Sequence, residues 1–153
     1  MEQLQKRTVT IGEKAYFHKT VTETDVCNYA AMTGSFNRLM IDEEFAKKSR
    51  FGRRIVHGPI VSGFLATISA MKMPGGNKFP VLQLFLDAWF RYLKPVFIGD
   101  TITAELELTG VTEKSTVYIA ELTGKCTNQH NEVVVTGVLH EMLGKDSFIV
   151  KQS

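Results

Sequence analysis

The chain has 153 residues, 44% of them apolar and 22% charged, with a net charge of +2. That composition suits one globular α+β-sized domain over 1–153 and excludes a nucleic-acid binder working by bulk positive charge. Two cysteines, Cys27 and Cys126, without a CxxC or Cys/His cluster, exclude a disulfide framework and a structural zinc site, so no metal is expected.

Residues 1–12 are polar up to Gly12 and are expected to form a frayed tail. They hold no apolar signal core, and no run approaches the roughly 18 apolar residues of a membrane span. A cytoplasmic protein with no membrane partner is the expectation. Ala15–Val21 mixes aromatic and β-branched residues and predicts a short strand. Thr22 then suits a helix N-cap, with Glu23 and Asp25 in the first turn where the helix dipole favours acids. Gly34 is a natural stop, which predicts a helix over Glu23–Thr33 with Cys27 as a small core residue.

Ser35–Ile41 reads as a turn, and Asp42 as the cap of a second helix over Glu43–Lys48. A basic loop follows, so that Lys47, Lys48, Arg50, Arg53 and Arg54 put five positive charges in eight residues. Such a cluster can bind phosphates or form a solvated face. His57-Gly58-Pro59 leads into Ile60–Met73, which is apolar nearly all round and predicts a buried helix ended by Pro74-Gly75-Gly76.

The remainder alternates. Val81–Tyr92, Thr101–Thr109, Thr116–Cys126 and Glu132–Met142 predict four long strands. One buried helix ahead of four strands predicts an antiparallel sheet wrapped around that helix. One helix leaves part of such a sheet uncovered, so two protomers are expected to pair edge to edge with a pocket at the seam.

Three segments resemble the MaoC-like, (R)-specific enoyl-CoA hydratase family. They are TETDVCNYAAMTG, DEEFAKKSRFGRRIVHGPIVSG and RYLKPVFIGDTITAELELTGV, in the family's order over about residues 8–143. The resemblance implies the hot-dog fold and a substrate that is an acyl-CoA or acyl-carrier-protein thioester, with no separate cofactor. Family chemistry resides in a turn written G-D-x-N-P-x-H, whose Asp and His add water across a 2-enoyl thioester. Here the turn reads Gly34-Ser35-Phe36-Asn37-Arg38-Leu39-Met40. By resemblance the Asp position is Ser35, the His position is Met40, and the auxiliary Ser position is Ala66.

The resemblance leaves binding residues in place: Asn37 in the turn, and Gly58, matching the glycine whose N–H binds the thioester carbonyl. Free N–H groups at a helix start suit a developing oxyanion on general grounds. Arg54 is the basic-loop residue assigned to binding. Met40 transfers no protons and Ser35 has no basicity near neutral pH without a partner. Removing acid–base groups costs roughly 10²–10⁴ in rate each. His57 and Asp87 are the substitute candidates, with a backbone-satisfied histidine and a solvated strand residue as the plain alternatives. Three functions stay open: a hydratase or dehydratase with shifted catalytic groups, a non-catalytic acyl-thioester binder, and a non-catalytic partner of a dyad-bearing homologue in a heterodimer.

Overall fold

The computed structural model describes residues 6–72 and 83–151. Its elements are β1 (Arg7–Thr10), β2 (Lys14–Thr20), α1 (Glu23–Thr33), α2 (Arg38–Ile41), α3 (Glu43–Lys47) and α4 (Gly58–Lys72). Then come β3 (Gln83–Tyr92), β4 (Thr101–Glu113), β5 (Val117–Thr127), β6 (Val133–Gly144) and β7 (Phe148–Lys151). The expected end of α4 at Met73, its stop at Pro74-Gly75-Gly76 and the first residues of the strand from Val81 lie outside the described residues.

Five strands make one antiparallel sheet in the order β2-β4-β5-β6-β3. The two-residue period of β4 sends Ile102, Ala104, Leu106 and Leu108 inward, each fully buried, and its Thr and Glu residues outward. Helix α4 lies across the inner face, where Leu65 and Ile68 are fully buried against these side chains and those of β5 and β6. Burying a Leu or Ile side chain is worth about 1.5–3 kcal/mol. The close fit depends on Gly124 of β5, which pairs with Gly137 of β6. A methyl group on Gly124 would stand 2.7 Å from Leu106 Cδ1 and 2.8 Å from Leu65 Cδ2. This α+β arrangement, a sheet wrapped around a central helix, is the hot-dog fold.

Helix α1 has the boundaries the sequence predicts. Thr22 and Asp25 form a reciprocal capping box, and Gly34, at φ 73°, closes the helix by donating to the Ala30 carbonyl. Other expectations need correction. The first 12 residues are not simply a tail: Arg7–Thr10 pairs in parallel with Phe148–Lys151, burying Val9 and Phe148. Each strand is too short to stand alone, and each finds its partner at the far end of the chain. The Ser35–Ile41 turn contains a single helical turn, α2. Cys27 is exposed, because α1 turns Val26 and Ala30 inward; Cys126 is the buried cysteine. Burial pushes the Cys126 thiol up to about 12.

Strand β3 is an edge strand, and a bulge between Phe85 and Asp87 breaks its alternation. Leu84, Phe85, Leu86, Trp89 and Tyr92 are consequently all about half exposed. Among the described residues no helix is long and apolar enough to cross a membrane.

Candidate functional site

Three backbone-directed hydrogen bonds hold the start of α4. Val56 N–H donates to the Val96 carbonyl at 2.7 Å, fixing the chain against the Lys94–Asp100 segment, whose turn uses Gly99 at φ 95°. Ile55 N–H donates to the Leu39 carbonyl at 3.1 Å. His57 Nε2 donates to the Ser35 carbonyl at 2.9 Å. The last two attach the Ser35–Met40 turn to the residues just ahead of Gly58.

Beside this junction lies a cleft of about 410 Å³, lined by Met40, Arg50, Phe51, Gly58, Pro59, Tyr92 and Lys94 among others. Gly58 is the first residue of α4, so its N–H has no partner within the helix and carries the positive end of the helix dipole. The Tyr92 ring lies over it: a methyl at Gly58 would stand 2.7 Å from Tyr92 Cε1. The Tyr92 hydroxyl is 3.1 Å from Ser62 Oγ, one turn further along α4. Two cations border the opening. Lys94 is paired with Glu132, and the Arg50 guanidinium sits 4.8 Å over the Phe51 ring. Among the described residues lining the cleft there is no carboxylate and no histidine.

The structure separates the residues that the sequence grouped as candidates. Gly58 and Met40 meet in the cleft. His57 does not line it: the imidazole is 3% exposed, lies 4.8 Å from the Tyr29 ring, and spends its Nε2 proton on Ser35. Its Nδ1 has no partner among the described residues. That is the backbone-satisfied arrangement. Ser35 contributes its carbonyl to His57 and does not line the cleft, and Ala66 packs against the core. Asn37 uses its side-chain oxygen to cap α2, accepting from Leu39 N–H at 3.0 Å. Asp42 caps α3 in the same way, accepting from Phe45 N–H at 2.9 Å.

Asp87 points outward from β3, where its side chain is 70% exposed and 2.6 Å from His140 Nδ1. The Asp87 carboxylate, with Glu121 on the other side of the ring, raises the His140 pKa above the usual imidazole value. The pair is therefore a cross-strand contact on the outer face, away from Gly58. Arg54 is not a cleft residue either. It donates to both Glu23 oxygens and, at 3.2 Å, to Glu43, joining α1 to α3. Glu23 in turn holds the Arg54 guanidinium charged still higher than usual. The member of the basic loop that lines the cleft is Arg50, stacked over Phe51.

Sequence reasoning missed Tyr92 and Ser62, which are 30 residues apart and share no motif. It also missed Glu141, a buried carboxyl on the inner face of β6. Ser69 Oγ donates to one of its oxygens and Gln83 Nε2 donates to the other at 2.7 Å. Burial raises the Glu141 pKa above the ordinary carboxylate value.

Fold and cleft together define a hot-dog protein with an electropositive pocket at the start of its central helix. Residues 6–130 match the signature of the MaoC like domain, and the chain belongs to that family. It is 31% identical over 134 residues to an (R)-specific enoyl-CoA hydratase of Aeromonas caviae, covering 88% of this chain and 95% of that protein. It is 28% identical over 130 residues to a mitochondrial 3-hydroxyacyl-[acyl-carrier-protein] dehydratase of Arabidopsis thaliana, covering 85% and 74%. Among solved structures it is similar to the (R)-hydratase from A. caviae involved in PHA biosynthesis, with a TM-score of 0.78 at 32% identity over 87% of this chain and 96% of that one.

Proposed function

We propose that the protein binds an acyl thioester, as acyl-CoA or acyl-carrier protein, without hydrating it by itself. The thioester carbonyl accepts from Gly58 N–H, and Arg50 faces the phosphates of the carrier. One observation carries this reading: the described residues lining the cleft supply a helix-start N–H and two cations but no carboxylate or imidazole. Hydration needs a group that takes a proton from water and one that returns it to C2. Arginine stays protonated, methionine transfers nothing, Lys94 is engaged by Glu132, and the Tyr92 hydroxyl is held by Ser62 Oγ. The two substitutes offered by the sequence, His57 and Asp87, lie behind the turn and on the outer face of the sheet.

Purified protein tests it directly. Isothermal titration with crotonyl-CoA and butyryl-CoA should show saturable binding, while the enoyl absorbance of crotonyl-CoA stays at the buffer rate. Turnover well above buffer would sink the non-catalytic part.

A second reading rests on β3. Its half-exposed apolar side chains end at Tyr92 and Leu93, both on the cleft, so a second chain on this edge would complete the pocket wall. That chain is another copy or a dyad-bearing homologue. Light scattering of the protein alone, then enoyl turnover after mixing with such a homologue, separates homodimer from catalytic heterodimer.

A further inference from the structure

One row of side chains crosses the outer face of the sheet where two of its strands are irregular. Asp87 of β3 stands directly opposite His140 of β6, and His140 stands directly opposite Glu121 of β5. Glu121 is in turn opposite Gly110 of β4. The pairing of β3 shifts between Phe85 and Asp87, and that of β4 shifts between Leu108 and Gly110. The row therefore links two bulges, which leave Leu86 and Thr109 out of their ladders. On the β4 side Thr109 Oγ1 spans the irregularity, reaching the Glu121 carboxylate at 3.2 Å and Thr123 Oγ1 at 3.1 Å. On the β3 side the tie is His140: its Nδ1 is 2.6 Å from Asp87 Oδ1 and its Nε2 is 3.6 Å from Glu121 Oε2.

A neutral imidazole has one N–H and can serve only one of two carboxylates, whereas the imidazolium has a proton on each nitrogen. No other charge competes for the ring. The adjoining rows hold Trp89, Val138 and Thr123 on one side and Leu84, Met142 and Ile119 on the other, all uncharged. Glu141, next in the chain, faces inward and is buried. The next cations along β3 and β5 are engaged elsewhere, Arg91 over Trp89 and Lys125 with Glu105. As an edge strand, β3 has ladder bonds on one side only, and its bulge interrupts these beside Asp87. We propose that His140 is a proton-operated clamp on this edge strand. As imidazolium it ties Asp87 to Glu121 across β6 and holds the bulged end of β3 on the sheet; on losing its proton it lets that end loosen. The end that loosens holds Leu84, Phe85 and Leu86, about half exposed, so the proton governs how this apolar edge is presented. Both carboxylates favour the imidazolium, so the clamp is complete below the ordinary imidazole value near 6.5 and is lost as pH rises through the raised one.

The experiment is hydrogen–deuterium exchange of the full chain at pH 6 and pH 9, each rate divided by the intrinsic rate at that pH. Protection of β3, taken relative to β4, should fall about two- to fivefold between the two pH values, the range of an exposed ion pair. The fall should be absent in His140→Gln and in Asp87→Asn. A proton NMR titration supplies the second readout, with the His140 ring signal assigned by its loss in His140→Gln. Its midpoint should lie above the ordinary imidazole value in wild type and move down in Asp87→Asn and in Glu121→Gln. Thermal melts establish that each variant is folded, and if His140→Gln is not, Asp87→Asn decides. An ordinary midpoint in wild type overturns the clamp. So does a relative protection of β3 that falls equally in wild type and in a folded variant, or that does not fall at all.

Discussion

Gly58→Ala separates the ligand-binding role of this residue from its structural role. No positive φ is involved at Gly58, so alanine fits the backbone, and at a helix start it does not lower helix propensity. Its methyl would stand 2.7, 2.9 and 3.2 Å from Tyr92 Cε1, Cδ1 and Cζ. Carbon atoms rest at about 3.5–4.0 Å, so the ring must move by close to an ångström. Tyr92 ends an edge strand and is half exposed, and it can swing aside by giving up its contact with Ser62. That loss costs about 0.5–1.5 kcal/mol, and the helical gain of Ala over Gly offsets up to about 1 kcal/mol of it. Stability in urea should change by less than about 1 kcal/mol. Within the cleft the methyl and the displaced ring crowd the space beside the helix-start N–H. An overpacking penalty of about 1–3 kcal/mol in the complex corresponds to about 5- to 150-fold weaker binding of butyryl-CoA by titration. Unchanged affinity in a folded Gly58→Ala variant would refute the placement of the thioester carbonyl at this helix start.

Gly124→Ala should act in the opposite sense, on the fold. Its methyl would meet Leu65 and Leu106 and stand 2.9 Å from the Glu105 carbonyl, so about 1–3 kcal/mol of stability is lost by urea unfolding; an unchanged midpoint would contradict the packing argument. Glu141→Gln should stabilise the protein near pH 8. Burial raises the carboxyl's pKa in the folded state, so its contribution is fully present below the ordinary carboxylate value and is lost as pH rises through the raised one. The advantage of glutamine should therefore shrink towards pH 4, and a constant difference between pH 4 and 8 would count against it. The two arginines should split: Arg50→Ala weakens butyryl-CoA binding in a salt-dependent manner, whereas Arg54→Ala lowers thermal stability by breaking its pairs with Glu23 and Glu43. Weaker binding from Arg54→Ala alone would reverse that assignment.

Much of the fold was legible because its signals are local. The α1 boundaries follow from Thr22, Asp25 and Gly34, which act through bonds within one turn of the helix. The inner row of β4 follows from strict alternation. The β1–β7 pair was hidden because its two short segments find their backbone partners in each other, across more than a hundred residues. The site divided in the same way. Gly58 could be singled out because a helix start exposes N–H groups whatever surrounds it.

Side-chain direction could not be obtained from the chain alone. His57 and Gly58 are neighbours, yet one faces the Ser35 carbonyl and the other the cleft. Asp87 and Tyr92 lie five residues apart on one strand and so on opposite faces, but only the packing of the Lys94–Val96 segment and α4 puts the cleft on the Tyr92 side. Arg50 and Arg54 are four residues apart, and the positions of Glu23 and Glu43 tie Arg54 into an ion pair while Arg50 lines the cleft. By itself the sequence determined the family and the central helix. Tertiary structure decided which polar groups share the cleft, because that depends on packing between segments that the chain order keeps apart.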